Sequence, residues 1–205
     1  MIVGLTGSIA TGKSTVSKML AEHGAVIIDA DKIVRRVQEP GQPAWRGIVE
    51  HFGEGVLQED GTLDRAKLGD LVFQDSTNRQ RLNEIVHPIV REERDRETAQ
   101  ARERDSQAII IWDIPLLIET GIYKDVDRVV VVYVDQETQL SRLLSRDELS
   151  EEQAKARIDA QMPIEEKKAY ADYLIDNRGT LEETAEQVRR VYEQLRELAA
   201  QERTE

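Results

Sequence analysis

Apolar residues along the chain form short continuous runs that alternate with stretches of helical spacing. Strand-sized apolar segments occur at residues 2–6, 25–29, 108–112, 128–134 and 173–175. Continuous apolar runs are typical of strands buried on both faces of a parallel sheet. Strands that alternate with helices imply right-handed βαβ crossovers. The pattern therefore predicts an α/β fold of three layers with a five-stranded parallel sheet.

The stretches between these segments carry apolar residues at helical spacing. They predict helices over residues 14–23, 31–38, 136–145 and 180–201. The last of these helices is long and amphipathic. We expect its apolar face to pack on the sheet rather than on a partner chain.

Residues 44–105 differ from the rest of the chain because they are polar and helical, with no convincing strand. The predicted helices of this region are residues 45–52, 64–73, 77–86 and 88–104. We interpret the region as a helical insertion into a core that residues 1–43 and 106–205 form together.

Composition and charge narrow the class of protein. The chain of 205 residues has no cysteine and a formal net charge of −12. A disulfide framework and a thiolate zinc site are therefore excluded, and binding of nucleic acid by charge alone is disfavoured. Residues 1–6 are too short for a signal peptide, and no apolar run approaches the roughly 20 residues of a membrane span. We expect a cytoplasmic enzyme without nucleic-acid or membrane partners.

The clearest motif is Gly-Ser-Ile-Ala-Thr-Gly-Lys-Ser at residues 7–14, which matches the P-loop pattern without a gap. It lies between a predicted strand and a predicted helix, so loop amides and the helix N-terminus can surround phosphate oxygens. Lys13 adds a full charge toward the β- and γ-phosphates, the Ser14 hydroxyl is a natural Mg²⁺ ligand, and Thr15 can bind the α-phosphate. The predicted phosphate-binding residues are Gly7, Ala10, Thr11, Gly12, Lys13, Ser14 and Thr15.

A P-loop alone does not distinguish a kinase from a GTPase, a motor or a transport ATPase. The chain lacks the N-K-x-D string with which a GTPase would read its base. Its size and its helical insertion favour a small-molecule kinase. A non-enzymatic nucleotide-binding module stays open as an alternative.

Carboxylates follow two of the predicted strands. Asp29 and Asp31 come directly after the second strand, which we place beside the P-loop strand, and a kinase needs a carboxylate near the acceptor hydroxyl to accept its proton. We favour Asp31 as this base and place Asp29 second, although Asp31 could instead cap the next helix. Asp113 ends the third strand, where it could contact Mg²⁺ directly or through water, or could be a turn residue. Residues 115–119 would then begin a loop and helix that line the acceptor site.

A cluster of arginines accompanies residues 147–163, which we predict to be a polar helical hairpin. Arg142 and Arg146 lie four residues apart on one helix, and Arg157 lies within the hairpin. Such a segment can close over the phosphates as a lid whose cations neutralise the transferring phosphoryl group. A solvated face of ion pairs is the competing interpretation.

Together these motifs resemble the dephospho-CoA kinase family over residues 1–195. The generic P-loop contributes least to this resemblance, and the combination of the other motifs is far more specific. Those motifs are Asp29-Ala-Asp31, His87-Pro88, Asp113-Ile114-Pro115-Leu116-Leu117 with Glu119, Arg146-Asp147, Arg157, Gln161-Met162-Pro163, Lys167, Ala171-Asp172 and Asp176-Asn177. Ser8, Thr11 and Trp112 depart from the family's usual residues without removing a side chain that the mechanism needs.

The resemblance implies transfer of the γ-phosphate of ATP, with Mg²⁺, to the ribose 3′-hydroxyl of dephospho-CoA. Another small-molecule or nucleoside monophosphate kinase is the alternative. Lys13, Asp31, Arg142 and Arg146 would be catalytic, and Asn177 falls where the family contacts adenine. His87 would bind the acceptor, although it could be a packing histidine. The implied acceptor-site residues are Asp29, Asp31, His87, Pro115, Leu116, Glu119, Arg157 and Gln161. We expect a monomer, with a weak oligomer as the alternative.

Overall fold

A computed structural model describes residues 1–201 and contains one five-stranded parallel sheet. The strands are β1 (Ile2–Gly7), β2 (Val26–Asp29), β3 (Ile110–Asp113), β4 (Arg128–Tyr133) and β5 (Tyr173–Asp176). Each predicted strand is confirmed to within two residues at its ends. The sheet places the ends of β1 and β3 on the same edge, with Leu5 opposite Asp113.

The order of the strands is β2-β3-β1-β4-β5, and this order corrects one premise of the sequence analysis. β3 lies between β1 and β2, so the strand before the Asp-Ala-Asp motif is not the neighbour of the P-loop strand. The immediate neighbours of β1 are β3, which ends at Asp113, and β4. Sequence order cannot show this crossover, because β3 follows β2 only after about 80 residues of insertion.

The helices agree with the predicted pattern except at Pro88 and near the predicted lid. There the predicted hairpin of residues 147–163 contains one helix, Glu151–Asp159, and the short helix Ile164–Lys167 was not predicted. Over residues 1–201 the helices are α1 (Lys13–Glu22), α2 (Ala30–Val37), α3 (Pro43–Phe52), α4 (Arg65–Gln74), α5 (Ser76–Arg104), α6 (Gln136–Arg146), α7 (Glu151–Asp159), α8 (Ile164–Lys167) and α9 (Leu181–Gln201). Short 3₁₀ turns cover Glu54–Val56, Ile122–Asp125 and Lys168–Tyr170. The predicted break at Pro88 is wrong, because α5 runs through it as one helix of 29 residues. A proline removes one N–H donor, and the many other bonds of so long a helix maintain it.

One face of the sheet carries a hydrophobic core that α1 and α9 cover. Val3 and Leu5 of β1 pack there with Leu20 of α1 and with Val188 and Leu195 of α9. The prediction that the C-terminal helix packs on the sheet is therefore confirmed. Within residues 1–201, no helix combines the length and apolar character needed to cross a membrane.

The chain forms two compact units, residues 1–28 with 101–205 and residues 29–100. In the second unit, Arg36 of α2 pairs with Glu93 and Glu97 of α5, at 3.0 and 2.7 Å. These units divide the chain before α2, whereas the insertion was predicted to begin at residue 44. The extent of an acceptor-binding insertion stays a prediction.

Candidate active site

The P-loop joins the end of β1 to the start of α1, and its backbone has the shape that an anion site requires. Gly12 is the N-cap of α1 with a left-handed backbone, and no side chain caps the helix. No acidic residue lies in the first turn of α1. The first amides of a helix need an external partner, and here they are left for a negatively charged ligand. Ala10 also has a positive φ of 62°, which is uncommon for a residue with a side chain.

Asn177, which follows β5, braces this loop from the side. Its buried amide donates to the Thr11 carbonyl oxygen at 2.8 Å and accepts from the Thr184 hydroxyl at 2.8 Å. The main-chain carbonyl oxygen of Asn177 accepts from Arg142 of α6 at 2.8 Å. A Cβ atom at Gly12 would overlap the Asn177 amide, so glycine is needed there for space as well as conformation. The predicted contact of Asn177 with adenine stays a prediction beside this bracing role.

Lys13 forms an ion pair with Asp113 at the end of β3. The Asp113 side chain is 5% exposed and that of Lys13 is 18% exposed. A buried carboxylate is stable only with a partner, and Lys13 is that partner here. The pair brings together two predicted site residues that lie 100 positions apart in the sequence.

Ser14 and Asp113 provide the oxygen ligands that Mg²⁺ favours. Within the described residues, no group of three or more His, Cys, Asp or Glu side chains could hold a metal ion by itself. In nucleotide sites Mg²⁺ keeps several waters and is held by one or two protein oxygens together with phosphate oxygens. Ser14 is exposed on the first turn of α1. This donor set therefore fits Mg²⁺ bound together with a nucleotide and not an independent metal site.

The two aspartates of the Asp-Ala-Asp motif occupy different positions at the start of α2. Asp29 is the N-cap of α2, and its Oδ1 accepts from the Lys32 amide at 3.1 Å while its Oδ2 lies 3.5 Å from Lys32 Nζ. Asp31 lies in the first turn of α2 and is exposed. The interpretation of Asp31 as a mere helix cap is therefore wrong, because Asp29 is the cap.

The predicted lid consists of the loop after α6 and of α7. The Asp147 carboxylate accepts from Arg146 Nε at 2.9 Å and from Arg157 NH1 at 3.1 Å. Hydrogen bonds from Arg146 lower the pKa of Asp147, so the cluster stays ionised at neutral pH. Arg142 and Arg146 thus have separate partners, and the ion-pair interpretation describes Arg146 and Arg157 in this structure.

The lid is less polar than its sequence suggests. Ala154 and Ile158 of α7 are buried against Leu143 of α6. Ile9 and Ala10 of the P-loop pack against the same cluster. We call these five residues the lid seam. The seam attaches α7 to the P-loop by apolar contact.

The loop after β3 is anchored by its backbone and by Glu119. The Pro115 carbonyl oxygen accepts from the Thr6 hydroxyl at 2.9 Å, and Glu119 accepts from the Met162 amide at 3.2 Å. Leu116 is 41% exposed. Gln161, a predicted acceptor-site residue, instead accepts from the Ile9 amide of the P-loop at 2.8 Å.

His87 lies exposed on α5, where it lines a surface cavity together with Asn83 and Glu84. This exposure excludes the interpretation of His87 as a packing histidine. Its role in binding the acceptor stays a prediction.

Two buried polar residues of the site received no role from the sequence. Gln139 of α6 is 1% exposed and donates to the Ile9 carbonyl oxygen at 2.8 Å. Lys167 is fully buried and pairs with Glu119 at 2.9 Å. Lys167 belonged to the family pattern, which was a signal, whereas Gln139 belonged to no motif that the sequence offered.

Comparisons with known proteins identify the family of the chain. The sequence model of the family described as dephospho-CoA kinase matches residues 1–183. The chain is 52% identical over 188 residues to the dephospho-CoA kinase of Shouchella clausii, covering 92% of this chain and 95% of that protein. It is 54% identical over 187 residues to that of Symbiobacterium thermophilum, covering 91% and 78%.

Solved structures show the same fold. The dephospho-CoA kinase from Campylobacter jejuni superposes with a TM-score of 0.69 at 30% identity, covering 96% of this chain and 97% of that one. The Thermus thermophilus protein TT1252 gives a TM-score of 0.80 at 33% identity, covering 95% and 97%. The predicted three-layer α/β fold of P-loop NTPases is confirmed. On these findings, the chain belongs to the dephospho-CoA kinase family.

Proposed function

We propose that this chain carries out the reaction of its family, transfer of the γ-phosphate of ATP to the 3′-hydroxyl of dephospho-CoA, through the residues described above. The observation that carries the proposal is the P-loop, whose uncapped helix start lies beside the Lys13–Asp113 pair. This arrangement offers amides, one cation and one carboxylate to a single triphosphate.

The donor half of the site would work by an exchange of partners. The phosphates of ATP would draw Lys13 from Asp113, because the β- and γ-phosphates carry more negative charge than one carboxylate. Asp113 and Ser14 would then hold Mg²⁺. When bound, Mg²⁺ neutralises charge that develops on the phosphate oxygens.

The acceptor half requires a base, and Asp31 is better suited to it than Asp29. Both oxygens of Asp29 lie near Lys32, one as the helix cap. As the 3′-oxygen forms its bond to the γ-phosphorus, the hydroxyl proton passes to Asp31. The bond from the γ-phosphorus to the bridging oxygen breaks, and its electron pair leaves with ADP.

The lid would supply further cations. Arg142 already lies at the P-loop brace, bonded to Asn177, whereas Arg146 and Arg157 are tied to Asp147. Release of these two arginines toward the phosphates would accompany closure of the lid, which also excludes water. The remaining predicted residues of the acceptor site, His87, Leu116 and Gln161, would receive dephospho-CoA.

We further propose that the protein acts as a monomer in the cytoplasm. The apolar face of α9 is covered by the sheet of the same chain, which supports the monomer. Light scattering coupled to size-exclusion chromatography at micromolar concentration should give the mass of one chain, and a dimer mass would contradict this.

A coupled assay of ADP release tests the proposed reaction. The purified chain should release ADP with dephospho-CoA as acceptor and should be inactive with AMP, CMP, dTMP and shikimate. Activity confined to the nucleoside monophosphates would overturn the proposal in favour of a nucleoside monophosphate kinase.

A further inference from the structure

Lys167 is a fully buried lysine that the proposed mechanism does not use. Its side chain is 0% exposed, in contrast to the neighbouring Lys168, which is 36% exposed. Nζ of Lys167 lies 2.9 Å from Glu119 Oε1 and donates to the Pro115 carbonyl oxygen at 3.1 Å. Burial of an ammonium group carries a large desolvation cost, which an aliphatic side chain of similar volume would avoid. Filling space in the core therefore does not explain why a charged side chain lies at this position.

The partners of Lys167 belong to the loop that follows Asp113. Pro115 and Glu119 are both predicted acceptor-site residues, and Lys167 contacts both at once. The Pro115 carbonyl oxygen also accepts from Thr6 of β1, at 2.9 Å. One ammonium group thus holds both ends of residues 115–119, and the Thr6 hydroxyl ties the Pro115 end to the strand that leads into the P-loop.

A second connection runs from Glu119 to the P-loop through residues 161–162, which we call the strap. The Met162 amide donates to Glu119 Oε1 at 3.2 Å. On its other side, the strap accepts from the Ile9 amide at 2.8 Å and from the Ser8 hydroxyl at 3.4 Å. Glu119 is therefore the point at which the strap, the loop after β3 and Lys167 meet.

The bonds to Glu119 leave one of its oxygens for another partner. Both Lys167 and Met162 use Oε1. In the part of the chain that the structure describes, Oε2 has no hydrogen-bond partner, and the Glu119 side chain is 22% exposed. An ionised carboxylate held by one oxygen is a fixed acceptor for a hydroxyl or amide of a ligand.

From this geometry we propose that Lys167 is a positioning residue for acceptor binding, which acts by holding Glu119 and residues 115–119 in register with the P-loop. The inference rests on the proposed function, because the acceptor is dephospho-CoA. Because its side chain is fully buried against Glu119, Lys167 would act through that carboxylate and not by contact with ATP or the acceptor. A displacement of about 1 Å in a positioned group can lower a rate by two orders of magnitude, so loss of the ammonium group should affect catalysis strongly.

The test compares Lys167→Met with the matched control Lys168→Met. Each variant removes one ammonium group and one ion pair, and the two positions are adjacent. In Lys167→Met we expect kcat/KM for dephospho-CoA to fall about 10- to 100-fold. The Kd for ATP, measured without acceptor, should change less than about twofold, because the P-loop amides would still bind the phosphates of ATP. Lys168→Met should match the wild type within about twofold in both quantities.

A second variant separates positioning from general stability and remains informative if Lys167→Met does not fold. Glu119→Gln keeps the shape of the side chain and removes the charge that Lys167 holds. It should lower kcat/KM for dephospho-CoA and leave the Kd for ATP unchanged. Where both single variants fold, the double variant should be no worse than the poorer single variant, since residues acting as one unit are not additive.

Two outcomes would overturn the inference. One is a folded Lys167→Met enzyme with wild-type kcat/KM for dephospho-CoA per ATP-binding site, whatever its melting temperature. The other is a Glu119→Gln enzyme with unchanged kinetics. A wild-type chain that binds ATP and does not phosphorylate dephospho-CoA would instead overturn the proposed function, and the positioning role with it.

Discussion

At the scale of single residues, the Asp-Ala-Asp motif shows what a pattern of two carboxylates leaves open. Asp29 and Asp31 are chemically identical in the sequence, and only the backbone separates them. Asp29 caps α2 through the Lys32 amide, and Asp31 lies two residues later, in the first turn of the helix. A cap is recognised by its φ and ψ angles, which the sequence does not contain.

We predict that Asp31→Asn abolishes transfer while ATP binding survives. Loss of a general base typically lowers kcat by about 10²- to 10⁴-fold, and asparagine has the same shape. The measurement is kcat with dephospho-CoA together with the Kd for ATP. Asp29→Asn is the matched control, because asparagine is also a good N-cap and should preserve α2. The reverse result, in which only Asp29→Asn is inactive, would reassign the base.

The Lys13–Asp113 pair gives a prediction about Mg²⁺. If Asp113 takes part in holding the ion, Asp113→Asn should raise the Mg²⁺ concentration for half-maximal activity by roughly tenfold. Activity is measured against free Mg²⁺ at saturating ATP. Ser14→Ala should shift the midpoint in the same direction. An unchanged midpoint in Asp113→Asn would mean that the carboxylate serves only to pair with Lys13.

At the scale of elements, the sequence predicted the strands and most helices because each has a strong periodicity. The continuous run of valines in β4 and the glycine before β2 left few alternatives. Two features could not be predicted in this way. The order of the strands depends on the crossover through residues 30–109, and the continuity of α5 through Pro88 depends on the other hydrogen bonds of a 29-residue helix, which outweigh a local preference.

Asn177 lies in the connection between β5 and α9. It was expected to contact adenine, and in the structure its side chain binds the P-loop at Thr11. If the main role of Asn177 is to hold the Thr11 carbonyl oxygen, Asn177→Ala should lower the affinity for ATP and for inorganic tripolyphosphate alike. The expected loss is about tenfold, or 1.4 kcal/mol. If Asn177 instead contacts adenine, only the affinity for ATP should fall. Competition binding with both ligands distinguishes the two roles.

The control for this experiment is Thr184→Val, which removes the hydroxyl that donates to Asn177 and leaves the bond to Thr11 in place. It should lower the free energy of unfolding by about 1–2 kcal/mol, the usual effect of one buried hydrogen bond. Its affinity for tripolyphosphate should stay near that of the wild type. Equal loss of affinity in both variants would contradict a specific role for the Thr11 bond.

At the scale of the whole molecule, the pieces of the donor site come from distant parts of the chain. The P-loop, Asp113 and Asn177 meet because parallel strands end at one edge of the sheet, and the strap reaches the P-loop through the bond from the Ile9 amide. Motif spacing named the candidate side chains of the site. It did not predict their partners, such as Asn177 on Thr11, since these depend on distances across the sheet and on burial.

The lid is held in place by two kinds of contact. The lid seam buries Ala154 and Ile158 beside the P-loop, and the arginines of the lid bind Asp147 on its exposed side. Phosphates would compete with Asp147 for those arginines, whereas ligand binding does not weaken the apolar contacts of the lid seam. We therefore expect α7 to tighten over the site when an ATP analogue and dephospho-CoA bind together. Trypsin cleavage after Lys155 and Arg157 should then slow by about tenfold.

Cleavage elsewhere in the same molecule provides the control. Arg189 and Arg190 are exposed on α9, on the solvent side of a helix that packs on the sheet, and their cleavage should not depend on ligands. Limited proteolysis followed by mass spectrometry reads both regions in one sample. Protection of the lid alone would support closure as a local event. Equal cleavage of the lid with and without both ligands would count against it, and the arginines would then serve only to hold Asp147.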